Sequence, residues 1–337
     1  MSSKEGDSSS SMATVEDLES LSDYIGSFPK WHVLFSHCKE NVVRFLDQKT
    51  RSNLQKCSRS DYKLEDSLPI HVHSIQIIEN RHQWANKIFQ IHVRVQFSKS
   101  FNSTDRLERR FSGNKLEDAV KFGEKWMKKC RFRLEELSVE MVDYPIEFSE
   151  IKSLPRCQKL RIRCGSEQMF QWWLQKMPET LENLELIAPK TRNFEFSKEF
   201  LEMSQIRNAR KLFIAGCAEM TDQQFLGLKA KSIEMEPTIL REEAINEYLK
   251  RWSSGQNPFK CIVLSLKSAP NQQKVLRDLK FRQWDEEFEK ERFVCCSKFR
   301  EFWGSGPTFQ VWSEAKTNES LIVCFIQTEV IIQSSTF

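Results

Sequence analysis

A short alternation of apolar and other residues recurs six times between positions 134 and 266. Each occurrence has two apolar side chains separated by one residue, which is the period-2 pattern of a half-buried strand. The six occurrences lie at 137–139, 160–162, 184–186, 212–214, 233–235 and 264–266. Their first positions are 23, 24, 28, 21 and 31 residues apart, enough for one helix and two turns. The pattern therefore predicts strands that alternate with crossover helices.

Such strand–helix units cannot bury their apolar faces alone, so they are expected to stack on one another. Stacking predicts a mixed fold, α+β or α/β, in which an irregular leucine-rich-repeat-like arc fills residues 115–337. The intervals vary and the usual asparagine ladder position is missing. An ordinary α/β domain with evenly spaced strands therefore remains the alternative.

The segments that precede this region have a different character. Residues 1–28 are acidic and rich in serine, which predicts a disordered tail. In residues 29–68 apolar side chains recur at three- and four-residue steps, interrupted by a polar break at 47–50, which predicts two or three short helices. A helical unit of this size cannot form much of a core, so we expect it to dock onto the next domain or a partner.

Residues 69–114 alternate with period 2 at 71–77 and 91–97, which predicts two strands followed by a polar loop at 98–114. Helices are predicted at 115–129 and 240–252, and a charged helix at 272–289. Residues 321–332 read as a terminal β-hairpin. A hairpin at this end would cover the last open strand edge and act as a cap.

The helical unit resembles a known family. Trp31-x-x-Leu34, the Leu46-Asp47 step and the segment 51–58, which reads RSNLQKCS, are similar to the F-boxes of the large nematode F-box families. The resemblance implies that these helices bind the Skp-type adaptor of a cullin-RING (SCF-type) ubiquitin ligase. The adaptor-binding residues that we expect are apolar: Trp31, Leu34, Val43, Leu46, Leu54 and Cys57.

A second resemblance lies in residues 243–258, which read EAINEYLKRWSSGQNP. The spacing Asn-x-aromatic-Leu-Lys-x-Trp-x-x-Gly resembles the F-box-associated domain that follows nematode F-boxes. The two resemblances together imply a substrate receptor that joins an adaptor and cullin scaffold to a target protein. They imply no enzymatic activity, cofactor or metal. Because residues 35–38 read FSHC where the family has Pro and an acidic residue, an adaptor-independent interaction module remains the alternative.

Composition agrees with a protein that works by binding. The 337 residues include ten scattered cysteines with no Cys-x-x-Cys pair, and the longest apolar run, 321–326, is far too short to span a membrane. The N-terminus has no apolar signal region, so we expect a soluble cytoplasmic or nuclear protein with reduced thiols. None of the common phosphate-binding, hydrolase or metalloprotease motifs is present.

Two weaker candidates remain. His71 and His73 fall on one face of a predicted strand and, with His92, could ligate a metal, but no acidic or thiol pair accompanies them at ligand spacing. The basic residues between 121 and 133, interleaved with aromatic ones, could contact nucleic acid. The net charge of +4 is far below that of a dedicated nucleic-acid binder, so a solvated helix face is the better interpretation.

Overall fold

The computed structural model describes residues 31–68, 70–81, 89–97, 106–112, 115–130, 133–189, 194–291, 299, 301 and 306–335. The predicted tail at 1–28 lies outside these residues. The chain divides into two compact units, one that ends at Ile70 and one that begins at His71. Each unit is described by itself below.

The first unit is helical. A short 3-10 turn at Trp31–Val33 precedes three α-helices: α1 (Ser36–Phe45), α2 (Gln48–Cys57) and α3 (Arg59–Ser67). The predicted break at 47–50 is wrong for its last three residues, because α2 already begins at Gln48. The reason is a cap: the Asp47 carboxylate accepts the Thr50 backbone N–H at 2.7 Å and starts the helix there.

Buried polar contacts fix the helices of the first unit against one another. The Trp31 indole N–H donates to the buried Asp61 carboxylate at 2.7 Å, and so joins the opening turn to α3. Arg51 in α2 and Glu65 in α3 are both buried and form an ion pair at 3.5 Å. Burial lowers the pKa of Arg51, and the charge of Glu65 opposes that shift. Removing either partner would leave a buried charge unpaired, which costs about 3–5 kcal/mol.

The second unit is mixed α/β, and its described residues form one fourteen-stranded sheet. Its strands are β1 (Ser74–Arg81), β2 (Phe89–Gln96), β3 (Arg106–Ser112), β4 (Leu134–Glu140), β5 (Cys157–Arg163), β6 (Asn183–Ile187), β7 (Glu195–Phe196), β8 (Lys211–Ala218), β9 (Ser232–Thr238), β10 (Cys261–Leu266), β11 (Phe281–Gln283), β12 (Thr308–Trp312), β13 (Ser320–Ile326) and β14 (Glu329–Ser334).

The strands that the sequence pattern predicted form the centre of this sheet. β4, β5, β6, β8, β9 and β10 are parallel neighbours in chain order, with the two-residue β7 beside β8. At one end β1 continues the parallel pairing with β4, and β2 and β3 add antiparallel strands. At the other end β14 pairs with β10, and β13, β12 and β11 follow. The terminal hairpin therefore pairs with β10 as expected, but it is not the last edge, because β12 and β11 continue the sheet beyond it.

Short helices connect the strands. They are α4 (Leu116–Lys129), α5 (Glu167–Leu174), α6 (Lys198–Leu201), α7 (Ser204–Arg207), α8 (Asp222–Leu226), α9 (Glu242–Ser253), α10 (Gln272–Val275) and α11 (Glu286–Glu291), with a 3-10 turn at Ile146–Phe148. No helix in the described ranges is long and apolar enough to cross a membrane.

One face of the sheet is the main core. The apolar side chains of the recurring pattern, such as Leu137, Leu160 and Leu184, are fully buried there. Helix α4 lies on the same face at β1 and β2: a Cβ added at Gly123 would come within 2.6 Å of the Ile77 side chain, so the helix backbone approaches closely. Burial on this face explains why strand spacing could be predicted from periodicity alone.

Two predicted elements are wrong. Part of the loop expected at 98–114 is β3, which pairs with β2, so β1, β2 and β3 belong to the same sheet as the later strands. The charged helix expected at 272–289 is divided into α10, β11 and α11. Asp278 takes a left-handed conformation, φ 59°, which stops helical continuation. The leucine-rich-repeat-like character of the arc stays a prediction.

Candidate functional site

The first unit exposes large apolar side chains that nothing in its own fold requires at the surface. Phe45, the last residue of α1, is 90% exposed, and Phe35, just before α1, is 74% exposed. Val33 and Tyr62 are exposed as well. The Phe35 ring stacks on the His37 ring, with 5.9 Å between centroids. Several exposed apolar side chains on so small a unit are typical of a surface that binds another protein.

The residues predicted for adaptor binding are distributed differently from these. Cys57 is exposed, and Val43 is fully buried. The other four, which are partly buried, are Trp31, Leu34, Leu46 and Leu54. The prediction chose residues with helical spacing. The most exposed apolar side chains of the unit, Phe35 and Phe45, are instead direct sequence neighbours of the predicted Leu34 and Leu46. Adaptor contact by the six predicted residues stays a prediction.

A second candidate surface is the face of the sheet opposite the main core. Five neighbouring strands place one side chain each in a single row there, in register. We call these residues the open row: Arg161, Glu185, Phe213, Glu234 and Val263. They line a shallow hollow of about 600 Å³. The first four are partly exposed, so their side chains are accessible to a partner.

Val263 ends the exposed part of this row. It is buried in a second apolar cluster whose other members include Phe288 and Phe299. The Trp284 ring packs edge-on against Phe288, with 5.1 Å between centroids. The hollow is therefore bounded on the β10 side by an apolar wall and is open over β6, β8 and β9.

Charges differ between the half of the open row on β5 and β6 and the half on β8, β9 and β10. In the first half the cations are paired with acids: Arg161 lies 3.2 Å from Glu140 and 3.6 Å from Glu185, and Lys159 lies 2.9 Å from Glu185. In the second half, neither Glu234 nor Glu236 has an ion-pair or hydrogen-bond partner among the described residues. Positive and negative charges thus balance on one side and do not on the other.

Glu234 is in the least favourable position of these acids. It is half-buried between the strands that carry Phe213 and Val263. Burial raises its pKa, and the negative charges of Glu236, Glu185 and Glu329 raise it further. A carboxylate held among other carboxylates is a position that a cation from outside would stabilise.

Two of the histidines considered as metal ligands lie beside acidic side chains. His92 is buried within hydrogen-bond distance of Glu108, at 3.1 Å, and His73 lies 3.4 Å from Glu135. Across the part of the chain that the structure describes, no group of three ligating side chains could hold a metal ion. Burial raises the pKa of the Cys157 thiol to about 12 and that of Cys261 to about 11, so both are poor nucleophiles.

The comparison with known proteins decides the family. Over 355 aligned residues the chain is 33% identical to an uncharacterized F-box protein of Caenorhabditis elegans, and the match covers 95% of this chain and 92% of the relative. The chain belongs to the F-box protein family. No family model matches the sequence of this F-box protein, and no solved structure matches it.

The basic face that suggested nucleic-acid binding is largely paired in this F-box protein. On α4, Lys121 is bonded to Glu117 and Lys128 lies 2.7 Å from Glu150. The aromatic Trp126 is buried. Arg131 and Phe132 lie outside the described residues. The geometry favours a solvated helix face over a nucleic-acid surface.

The Asn-x-aromatic-Leu-Lys-x-Trp-x-x-Gly motif in the second unit of the F-box protein has a structural explanation. The buried Asn246 side chain of α9 donates to the carbonyls of Val275 and Arg277, at 2.9 and 2.8 Å, and Lys250 pairs with Asp278 at 3.0 Å. These contacts hold the turn after α10 against α9. The open row, by contrast, was missed by the sequence interpretation, because no local pattern reports which residues of distant strands become neighbours.

Proposed function

We propose that this F-box protein is the substrate-recognition subunit of a cullin-RING ubiquitin ligase. Its first unit binds a Skp-type adaptor and its second unit binds the target protein. The observation that carries the proposal is the exposure of Phe35 and Phe45 on the helical unit of an F-box family member. The C. elegans relative supports the family and hence the mode of interaction.

The energetic reason lies in the apolar area that a partner would cover. Burying a phenylalanine side chain is worth about 1.5–3 kcal/mol, so two exposed rings can supply a substantial share of a micromolar affinity, about 8 kcal/mol. Aromatic anchors of this kind are frequent among the residues that dominate interfaces. Exposed rings that serve no partner would instead promote aggregation.

The chain itself carries out no covalent step in this proposal. It holds the target close to the ubiquitin-conjugating machinery and raises the effective concentration of target lysines there. The raised thiol pKa values of buried Cys157 and partly buried Cys261 agree with a binding role for this part of the chain, because a thiol carrier of ubiquitin needs an accessible thiolate.

The test is adaptor binding by the full chain and by the double variant Phe35→Asp with Phe45→Asp. Purified Skp-type adaptor is titrated and binding is measured by isothermal titration calorimetry. We expect the wild-type chain to bind and the double variant to lose binding, because two carboxylates replace the apolar rings. Both side chains are exposed, so the variant should keep its helical circular dichroism.

The matched control is Phe281→Asp, which changes a 44% exposed phenylalanine of the second unit in the same way. It should bind adaptor as the wild type does. A wild-type chain that does not bind adaptor would refute the proposal and favour the adaptor-independent interaction module. Unchanged binding by the folded double variant would show that the adaptor uses other residues, with Leu46 and Leu54 the next to test.

A further inference from the structure

The strongest unexplained feature is the half of the open row formed by β8, β9 and β10. Phe213 offers a partly exposed ring, Val263 closes the hollow with an apolar wall, and Glu234 lies in register between them. Neighbouring strands are about 4.8 Å apart, so one extended segment of a partner can contact both Phe213 and Glu234 beside the apolar wall. The surface combines an apolar contact with an unmatched negative charge.

The charges around Glu234 indicate which kind of partner segment this half of the open row can bind. The carboxylates of Glu236, Glu185 and Glu329 act on Glu234 and, with its burial, raise its pKa. The cation that lines the hollow on the other side, Arg161, is already engaged by two carboxylates. Lys211, the other cation that lines the hollow, lies at the exposed start of β8, in register with Ser232 two residues before Glu234. The hollow is therefore lined by three carboxylates, those of Glu185, Glu234 and Glu236, against two cations, and negative charge is in excess around Glu234.

We propose that the hollow docks a segment of the target protein that carries lysine or arginine next to an apolar side chain. The cation lies against Glu234 and Glu236, and the apolar side chain packs on Phe213. This inference rests on the proposed function, because it names the chemical class of the target that the second unit receives. Electrostatic complementarity of this kind gives specificity and a faster association rate.

Two other occupants fit less well. An acidic segment would add a further negative charge to a group of carboxylates that already raise one another's affinity for protons. A purely apolar segment would cover Glu234 and Glu236 without giving either a partner, which costs free energy. A basic and apolar segment supplies both the contact and the counter-charge.

The experiment selects binders from a displayed library of short random peptides on the full-length chain. In parallel, the selection is run on the double variant Glu234→Gln with Glu236→Gln. The most enriched peptide is then synthesised with a fluorescent label, and its affinity is measured by anisotropy at low and high salt. Glutamine keeps the shape of glutamate, so the double variant should fold as the wild type does.

We expect peptides that bind the wild type to be enriched in lysine or arginine beside an apolar residue. The double variant should bind the labelled peptide about tenfold more weakly, the loss expected for two partly exposed charge pairs, and its affinity should depend less on salt. The control is Glu147→Gln with Glu199→Gln, which removes two exposed acids elsewhere in the second unit and should bind as the wild type does.

Enrichment of acidic or uncharged peptides, absence of any enriched peptide, or equal affinity in the double variant would each overturn the inference. The adaptor titration is repeated on the same preparations. A double variant that binds adaptor normally but loses the basic peptide supports both proposals. A wild type that selects basic peptides but binds no adaptor refutes the ligase role and leaves the docking surface standing.

Discussion

Replacing Trp252 by alanine tests the assignment of α9 to the core of the second unit. Trp252 lies in the last turn of the helix, is only 5% exposed, and its ring centroid is 6.3 Å from that of Phe259. Truncation removes the largest side chain of this contact. The cavity is expected to cost about 3–5 kcal/mol. Because whole domains are stable by only about 5–15 kcal/mol, this is a large fraction of the total.

The measurement is thermal unfolding followed by circular dichroism. For a unit of this size each kcal/mol lowers the melting temperature by about 2–4 °C, so the variant should melt roughly 6–20 °C below the wild type. Phe281→Ala, at an exposed position, serves as the control and should change the melting temperature little. A Trp252→Ala chain with wild-type stability would refute the reasoning and place the ring outside the core.

Two further predictions follow from polar groups. Asn246→Ala should cost about 1–3 kcal/mol, because it leaves two carbonyls, one of them that of Val275, without their donor; chemical denaturation measures the loss, and an unchanged midpoint would contradict it. Glu234→Gln should stabilise the chain at pH 7 by less than about 1 kcal/mol. The pKa of Glu234 is higher in the folded than in the unfolded state. The free energy of unfolding of the wild type therefore falls as the pH rises through the folded-state pKa, where the carboxyl group loses its proton. The gain should vanish in melting curves below the unfolded pKa of about 4.3; a gain that persists there would have another cause.

Local periodicity determined much of the second unit. The six period-2 segments became β4, β5, β6, β8, β9 and β10, because one face of each strand is buried and its apolar residues must alternate. Helix α9 was predictable because its apolar residues recur with the 3.6-residue period of a helix that buries one face. Trp252 shares that spacing and is buried, as predicted. Resemblance to F-box sequences supplied the family, which the C. elegans relative confirms.

Other elements depended on contacts between distant residues. Strand β3 reads as a polar loop because its sequence, RLERRFS, is mostly charged. Pairing with β2 makes it a strand and brings Arg94 of β2 against Glu108. The stretch after α10 reads as a continuous helix. The carbonyls of Val275, the last residue of α10, and of Arg277 instead accept hydrogen bonds from Asn246, about thirty residues earlier in the chain.

The candidate surfaces divide in the same way. The first unit could be recognised from its sequence, since a short amphipathic stretch with too little core implies a partner, but only the folded helices show that Phe35 and Phe45 are the exposed rings. The open row has no signature in the sequence. Phe213 and Glu234 are separated by a helix and two turns, and they become neighbours because register between parallel strands is set by packing of the opposite, apolar face.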